Sequence, residues 1–279
     1  MISAGLYVVA TPIGNLEDIS TRAVRTLNGV DLILAEDSRH SGKLLQHLGV
    51  HTPVRAYHDH NEHKVVDIFI ERLRANQSIA LISDAGTPLI NDPGYHLVIA
   101  AHKHGIRVVP VPGPSAVISA LSVSGLPTDR FVYEGFLPNK QTARRTRLSQ
   151  LAGEQRTLVF FEVPHRVCAC IGDMVGYFGP ERIATLAKEI TKQFETIRKD
   201  TLAGILDWLQ EDPLHQKGEF VLMVHGASVD KGDELESVRV LKILLHSLPV
   251  KEAVAAAAKI MNGNKNRLYR LAITINGKE

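Results

Sequence analysis

Residues 79–88 of this 279-residue chain read Ile-Ala-Leu-Ile-Ser-Asp-Ala-Gly-Thr-Pro. The first five residues form a short apolar run, which is typical of a strand buried on both faces of a parallel sheet. Three further runs have the same form, at residues 6–10, 31–35 and 107–111. Amphipathic segments of helix length lie between these runs, near residues 19–28, 40–48, 61–75 and 93–104. This alternation of strands and helices predicts an α/β architecture.

The alternation resumes after a Pro- and Gly-containing hinge at residues 112–128. We expect strands at 131–136, 157–161, 183–187 and 219–224, and helices near 141–151, 165–177 and 201–210. A polar linker at 226–236 precedes a tail with helical patterns only, at 238–247, 250–261 and 264–273. We therefore predict two α/β domains, residues 1–118 and 119–230, and a small C-terminal helical module at 237–279.

The tail differs from the rest of the chain in charge, although the formal net charge of the whole is only +2. Residues 237–279 contain eight Lys or Arg and two acids, whereas the other 236 residues contain 24 basic and 28 acidic residues. Its last two helices, joined through a Gly-containing turn, resemble a helix-turn-helix that displays Lys265, Arg267 and Arg270. The tail either contacts a polyanion such as nucleic acid or is a helical cap with a solvated basic face.

Composition and motifs exclude several classes of protein. With 44% hydrophobic and 22% charged residues, the chain is globular rather than disordered or fibrous. The uncharged run at 108–128 contains four prolines, which would break a membrane-spanning helix. Cys168 and Cys170 are too few for a four-ligand zinc site.

Location and metal binding are also constrained by the sequence. No basic segment precedes the apolar stretch within residues 1–10, so we expect no secretory signal and a cytoplasmic protein with reduced thiols. The segment His58–His63 has three histidines, but it lacks a clear spacing of metal ligands. We interpret it as a solvated or hydrogen-bonded loop and expect no metal.

Three loops that follow predicted strands have the features of a ligand pocket. In open α/β sheets, ligands collect at the carboxyl ends of the strands. The loop at 11–18 contains Pro12 and Gly14, the loop at 84–88 has small residues around Gly86, and Ser115 and Ala116 open a helix after a Pro-Gly-Pro turn. No dinucleotide or P-loop fingerprint is present. For Asp92, in an Asp-Pro-Gly sequence, we prefer a chain turn and helix cap over a pocket residue.

Two other clusters carry groups suited to catalysis or RNA binding. Glu36, Asp37, Arg39 and His40 follow a predicted strand and include candidates for a general base, although a helix N-cap explains Asp37 as well. A stretch without acids has four basic residues that suit phosphate contacts or a solvated helix face: Lys140, Arg144, Arg145 and Arg147. Tyr133 and Phe136 before it either stack on a base or pack in the core.

Six motifs occur in order along the chain: Thr-Pro-Ile-Gly-Asn-Leu-x-Asp (11–18), Ala-Glu-Asp-Ser-Arg-His (35–40), His-Asp-His-Asn (58–61), Ser-Asp-Ala-Gly-Thr-Pro-Leu-Ile-Asn-Asp-Pro-Gly (83–94), Pro-Gly-Pro-Ser-Ala (112–116) and Tyr-Glu-Gly-Phe-Leu-Pro (133–138). Together they closely resemble the small-subunit ribosomal RNA 2′-O-ribose methyltransferases, which act on a cytidine of the decoding centre and have the tetrapyrrole-methylase (class III) fold. The resemblance covers essentially the whole chain, and the motif at 83–94 is highly specific.

The resemblance implies S-adenosyl-L-methionine as cofactor, bound in a cleft between the two α/β domains. It also implies a homodimer that methylates 16S rRNA or the small ribosomal subunit, with no membrane involved. The cofactor-binding residues it implies by position are Pro12, Gly14, Asp84, Ala85, Gly86, Thr87, Pro88, Ser115 and Ala116. By analogy of fold, we expect backbone near Phe161 and the strand around Leu222 to line the adenine.

Two other functions share some of these features. A methylase of a tetrapyrrole precursor or another small molecule would have the same fold and cofactor. The basic tail, and a first loop that is not the Gly-rich loop of porphyrin-precursor methylases, speak against it. A nucleic-acid-binding module without catalysis would not need the pocket-like loops at 84–88 and 112–116.

Overall fold

A computed structural model describes residues 2–58, 62–227, 231–261, 263 and 265–276. Five strands form a first sheet: β1 (Gly5–Val9), β2 (Leu32–Ala35), β3 (Val54–Ala56), β4 (Ser78–Ile82) and β5 (Val108–Val111). They pair in the order β3-β2-β4-β1-β5, and every pair is parallel. The helices that connect them are α1 (Thr21–Gly29), α2 (Ser38–His47), α3 (Glu62–Arg74) and α4 (Tyr95–Lys103).

Five further strands form a second, mixed sheet: β6 (Phe131–Phe136), β7 (Thr157–Glu162), β8 (Ile183–Lys188), β9 (Thr196–Thr201) and β10 (Phe220–Val224). The order is β6-β7-β10-β8-β9, and only β6 and β7 are parallel. The helices of this part are α5 (Ala116–Val123), α6 (Gln141–Leu151), α7 (Val167–Phe178) and α8 (Leu202–Glu211).

The predicted α/β fold class and the eight predicted strands are confirmed, whereas β3 and β9 were not predicted. β3 is only three residues long, and β9 reads Thr-Ile-Arg-Lys-Asp-Thr. Both lie at the edge of a sheet, where one side of a strand meets solvent and a continuous apolar run is not required. The hydrophobic pattern therefore gives no signal for either strand.

The compact units of the structure do not coincide with the predicted domain boundaries. Both sheets belong to one compact unit, residues 1–152 with 156–225. The predicted boundary at 118/119 falls inside α5, whose Val117 and Leu121 pack with Val221 and Met223 of the second sheet. A division between the sheets therefore lies before α5, because that helix packs with the second sheet.

A second compact unit contains residues 153–155 and 226–279. Its helices are α9 (Lys231–Leu245), α10 (Val250–Ile260) and α11 (Lys265–Asn276), and they share a core that includes Leu241, Ala257 and Leu268. The three helices are those predicted for the tail. The first helix begins at residue 231, so the helical module starts before the predicted residue 237. The first residues of α9 are polar, and for that reason the sequence pattern assigned them to the linker.

Among the helices that the structure describes, none is both long and apolar enough to span a bilayer.

Arg144 of α6 is buried, which contradicts its prediction as an RNA contact. Its guanidinium lies 2.6 Å from Asp173 of α7, and both side chains are about 5% exposed. Arg145 bonds the other oxygen of Asp173 at 2.8 Å from a half-exposed position. Burial raises the pKa of Asp173, but hydrogen bonds from the two arginines outweigh it and hold this pKa below its usual value. These charges therefore join α6 to α7.

We expect Asp173→Asn to lower the free energy of unfolding by roughly 3–5 kcal/mol, because it leaves the buried Arg144 guanidinium without its counter-charge. Arg145→Ala removes a half-exposed partner and should cost about 1 kcal/mol or less. Urea unfolding monitored by circular dichroism measures both. Equal, small losses for the two variants would contradict a buried ion pair that stabilises this helix contact.

Candidate functional site

A cavity of about 350 Å³ lies at the carboxyl ends of the strands of the first sheet, where the second sheet also supplies lining residues. The first sheet contributes residues that follow β1, β2, β4 and β5. The second contributes residues from β6, β7 and β10, from the loops next to them and from the loop after β8. The lining residues are Ile13, Glu36, Asp84, Ala85, Gly86, Thr87, Ile90, Asn91, Asp92, Ser115, Ala116, Val117, Phe136, Phe161, Glu162, Val163, Ile190, Glu219, Phe220 and Val221.

Hydrogen bonds fix the three predicted pocket loops to one another. The amide of Thr11 donates to the carbonyl of Gly86 at 2.9 Å, and the amide of Gly86 donates back to Thr11 at 3.1 Å. The hydroxyl of Thr87 donates to the carbonyl of Pro114 at 3.1 Å. The loops after β1, β4 and β5 therefore form one wall of the cavity, as expected for the carboxyl edge of a parallel sheet.

The loop after β4 continues into a strained segment. Leu89 and Asn91 have φ values of 73° and 72°, a left-handed conformation that is uncommon for residues other than glycine. Buried Glu62 fixes the end of this segment, because its Oε1 accepts hydrogen bonds from the amides of Gly94 and His96, each at 3.1 Å. Backbone strain of this kind concentrates at functional sites.

Asp92 lines the cavity, whereas its sequence context favoured a chain turn and a helix cap over a pocket residue. α4 begins after its N-cap residue Gly94, which has no side chain, and the carboxylate of Glu62 accepts from the amides of Gly94 and His96. Asp92 instead lines the cavity. The Asp-Pro-Gly sequence hides this role, because the same residues are typical of a simple turn.

The cavity carries an excess of negative charge. Five of its lining residues carry carboxylates: Glu36, Asp84, Asp92, Glu162 and Glu219. In the described part of the chain, no Lys, Arg or His lines the cavity. Glu162 lies 3.0 Å from Arg166, and Glu219 lies 2.9 Å from Lys192, so these two are paired. The amide of Asp37 donates to Asp84 Oδ1 at 3.1 Å and orients that carboxylate. This balance favours a cationic or hydrogen-bond-donating ligand.

Aromatic rings form the opposite side of the cavity. Phe161 of β7 lines it and has edge contacts with Tyr133 and Phe136 of β6, with ring centroids 5.2 Å and 5.6 Å apart. Burial, and then the carboxylate of Asp92, raise the pKa of Tyr133 to about 12. Tyr133 therefore packs beside the cavity wall, while Phe136 is half exposed at the cavity.

The structure separates the predicted cofactor loops into lining and non-lining residues. Asp84, Ala85, Gly86, Thr87, Ser115, Ala116 and Phe161 line the cavity. Pro12, Gly14, Pro88 and Leu222 do not. Ile13 lines it in place of its neighbours, and Leu222 lies fully buried in the core of the second sheet while Val221 faces the cavity. The strand around Leu222 therefore borders the cavity through the side chain of Val221, because successive side chains of a strand point to opposite faces.

The predicted catalytic cluster is also divided. Glu36 lines the cavity, whereas Asp37 caps α2 by accepting from the amide of Arg39 at 2.8 Å. The hydrogen bond from the Arg39 side chain lowers the pKa of Asp37 to about 2. Arg39 is 91% exposed and His40 is exposed, and neither lines the cavity. Of the four residues, only Glu36 reaches the cavity.

The remaining predicted residues lie on surfaces or outside the described residues. Lys140, Lys265 and Arg270 are exposed, and Arg147 pairs with Glu134 at 2.7 Å. The side chain of Arg267 and residues 59–61 of the histidine-rich segment lie outside the described residues. In the described residues, no group of His, Cys, Asp or Glu has the arrangement of a metal site.

Comparisons with known proteins define the family. The family model of the tetrapyrrole (corrin/porphyrin) methylases matches residues 5–206, and the model of the RsmI C-terminal HTH domain matches residues 231–276. Among solved structures, uroporphyrin-III-C-methyltransferase from Thermus thermophilus has a TM-score of 0.56 at 20% identity, over 80% of this chain and 94% of that one. Diphthine synthase has a TM-score of 0.59 at 14% identity, over 82% of this chain and 93% of that one. These likenesses show the fold.

The chain belongs to the tetrapyrrole methylase family, a class of methyltransferases. Two relatives named ribosomal RNA small subunit methyltransferase I narrow this further. The one from Pseudomonas aeruginosa is 53% identical over 99% of this chain and 100% of its own length. The one from Escherichia coli O157:H7 is 50% identical over 98% of this chain and 96% of its own length. Within the class, the chain belongs to the ribosomal RNA small subunit methyltransferases I.

We expect Gly135→Ala to destabilise the protein and to displace the strained segment that lines the cavity. Gly135 has a φ of 65° at a bulge in β6, and an added Cβ would lie 2.9 Å from the Asn91 amide. A cost of about 1 kcal/mol or more is expected from the backbone conformation. Gly176→Ala in α7 is the matched control, because nothing lies within 4 Å of its added Cβ and it should stabilise the helix slightly. Thermal unfolding measures both, and equal shifts would contradict the role of Gly135.

Proposed function

We propose that this protein transfers a methyl group from S-adenosyl-L-methionine to the ribose 2′-hydroxyl of a cytidine in the decoding region of small-subunit 16S ribosomal RNA. The observation that carries the proposal is the acidic cavity formed by the loops after β1, β2, β4 and β5 and closed by Phe161. The relatives' names support ribosomal RNA as the substrate class. The cytidine and its 2′-oxygen come from the resemblance of the motifs.

The residues of the cavity fit this cofactor. S-adenosyl-L-methionine carries a sulfonium cation and an ammonium group, and five carboxylates line the described cavity wall, two of them paired with Arg166 and Lys192. The small side chains of Ala85, Gly86 and Ala116 leave space, and Phe161 offers an apolar face to an adenine. A volume of about 350 Å³ lies at the lower end of the range for small-molecule sites.

When bound, the cofactor supplies an electrophilic methyl group on sulfur. The protein must position the ribose and receive the proton of its 2′-hydroxyl. Glu36 is the carboxylate of the predicted catalytic cluster that reaches the cavity, and we assign it as the base. Asp84, held by the amide of Asp37, orients the ligand beside it. Phe136 and Phe161 add apolar surface to the cavity wall.

The exposed cations lie outside the cavity and fit the phosphates of the RNA. We propose that Lys140, Arg145 and Arg147 on and before α6 contact the RNA backbone, and that Lys265, Arg267 and Arg270 of α11 do the same. Arg145 and Arg147 are each about half exposed, so their ion pairs leave a surface for a phosphate. Tyr269 is 47% exposed on α11 and offers a ring for stacking.

Assembly and location are part of the same proposal. Ile68 of α3 and Tyr95 and Ile99 of α4 are exposed apolar residues on two helices that pack together. Such a surface suits a second copy of this chain, as the resemblance implies for a homodimer. A substrate in the small ribosomal subunit implies a cytoplasmic location. Sedimentation equilibrium measures the state of assembly directly.

The proposal is tested by incubating the protein with labelled S-adenosyl-L-methionine and small subunits purified from cells that lack this enzyme. Label recovered as 2′-O-methylcytidine at one decoding-region position, mapped by mass spectrometry, is the expected result. Label on a base, or transfer only to a tetrapyrrole precursor offered in parallel, would contradict it. The second outcome would support the small-molecule methylase that shares this fold.

We expect Glu36→Gln to lower the single-turnover rate of methyl transfer by about 10²- to 10⁴-fold, the range for loss of a general base. Binding of the cofactor should weaken by at most about tenfold, because the amide removes one negative charge but keeps the size of the side chain. The rate is therefore compared at a saturating concentration of cofactor. His40→Ala is the comparison, since the exposed His40 does not line the cavity and should leave the rate near that of the unmodified protein. Equal rates for Glu36→Gln and the unmodified protein would rule out Glu36 as the base.

We expect Asp84→Asn to weaken binding of S-adenosyl-L-methionine by about tenfold, or ~1.4 kcal/mol, by removing a negative charge from the cavity. S-adenosylhomocysteine lacks the sulfonium charge, so its affinity should fall less. Isothermal titration calorimetry measures both affinities. Equal losses for the two ligands would show that Asp84 does not act on the sulfonium, because both ligands carry the ammonium group, and no loss for either ligand would contradict the argument from charge.

A further inference from the structure

A second concavity lies beside the cavity and is not explained by cofactor binding. It is more open and has a volume of about 610 Å³. We call this concavity the Asn15–Gln193 groove. It is lined by Gly14, Asn15, Leu16, Glu17, His47, Thr191, Lys192 and Gln193. Its size is within the range of small-molecule sites. It combines the loop after β1, the end of α2 and the loop between β8 and β9.

The groove and the cavity share two segments of chain. Ile13 and Ile190 line the cavity, and the residues that follow them, Gly14 and Thr191, line the groove. The two segments are in close contact, because a Cβ added to Gly14 would lie 2.5 Å from Lys192 Cγ. Only these two contacting segments therefore lie between a ligand in the groove and the cavity. A nucleotide that lies across its rim would place its base and its ribose in neighbouring spaces.

The loop between β8 and β9 is held in a strained conformation. Glu189 and Thr191 have φ values of 52° and 66°, and a left-handed conformation is a pronounced outlier for a β-branched residue such as Thr191. The hydroxyl of Thr191 is buried and has no hydrogen-bond partner in the described structure. Glu189 offsets these costs by accepting from Lys192 Nζ and from the amide of Glu219, each at 2.9 Å. A loop kept in this conformation despite its cost indicates a functional constraint.

The chemistry of the lining residues favours a neutral ligand over a phosphate. The described lysine of the groove, Lys192, is already paired with Glu189 and Glu219, and Glu17 adds a carboxylate to the lining. Asn15, His47 and Gln193 offer amide and imidazole groups, which donate and accept hydrogen bonds. Groups of this type read the edges of unstacked bases in single-stranded RNA.

We propose that the Asn15–Gln193 groove binds the base of the nucleotide whose ribose is methylated. This inference rests on the proposed function and adds to it the part of the protein that recognises the base. An unstacked base enters the groove, Gln193 and His47 hydrogen-bond to its edge, and its ribose reaches the rim of the cavity near Ile13. The contact between Gly14 and Lys192 sets the distance between the two.

The test compares Gln193→Ala, His47→Ala and the double variant with Gln46→Ala. All three residues are exposed, and Gln46 neighbours His47 on α2 without lining the groove. Small subunits carrying the natural cytidine or a uridine at the target position are the two substrates. The readouts are the concentration of subunits at half-maximal single-turnover rate, the ratio of rates on the two substrates, and the affinity for S-adenosyl-L-methionine.

The double variant should need at least tenfold more subunits and should lose its preference for cytidine, with unchanged cofactor affinity and thermal stability. Gln46→Ala should match the unmodified protein. The inference would be overturned if the double variant kept its preference for cytidine. It would also be overturned if the affinity for S-adenosyl-L-methionine fell by the same factor as the affinity for subunits. If the unmodified protein methylates no subunit at all, the proposed function fails instead, so the two failures are distinguishable.

Discussion

The reciprocal backbone hydrogen bonds between Thr11 and Gly86 are the contact on which the site depends. They join the loop after β1 to the loop after β4, and the bond from Thr87 to Pro114 adds the loop after β5. A parallel sheet brings these three loops to one edge, and the hydrogen bonds then fix their spacing. The cavity, its carboxylates and the strained segment that continues to Asn91 are all built outward from this contact.

Charge is divided between the cavity and the outer surface. The cavity wall presents carboxylates, which suit a cation, while basic side chains of α6 and α11 are exposed on the outer surface. An RNA backbone bound by those cations would be repelled from the cavity itself, so only a ribose and its base need approach the reacting group. The near-zero net charge of the chain hides this division, because an acidic body and a basic tail nearly cancel.

Much of the fold could be predicted from sequence because most strands are continuous apolar runs and most helices are amphipathic. The edge strands β3 and β9 lack that signal, and the parallel or antiparallel pairing of the second sheet leaves no mark in a single strand. The pocket loops could be placed because small residues follow predicted strands. The placement of other side chains depends on contacts between distant parts of the chain, which the sequence does not show. Arg144 is buried against Asp173, Leu222 faces the core, and Asp92 lines the cavity.

Hydrogen–deuterium exchange with and without S-adenosyl-L-methionine tests the central claim most directly, because it reports on every loop of the cavity at once. The account predicts slower exchange at residues 84–88 and 115–117, which follow strands of the first sheet, and at 161–163 and 219–221 of the second. Residues 14–17 and 191–193 of the groove should exchange at unchanged rates. Protection confined to one sheet, or protection centred on the groove, would contradict a cofactor site built by both sheets.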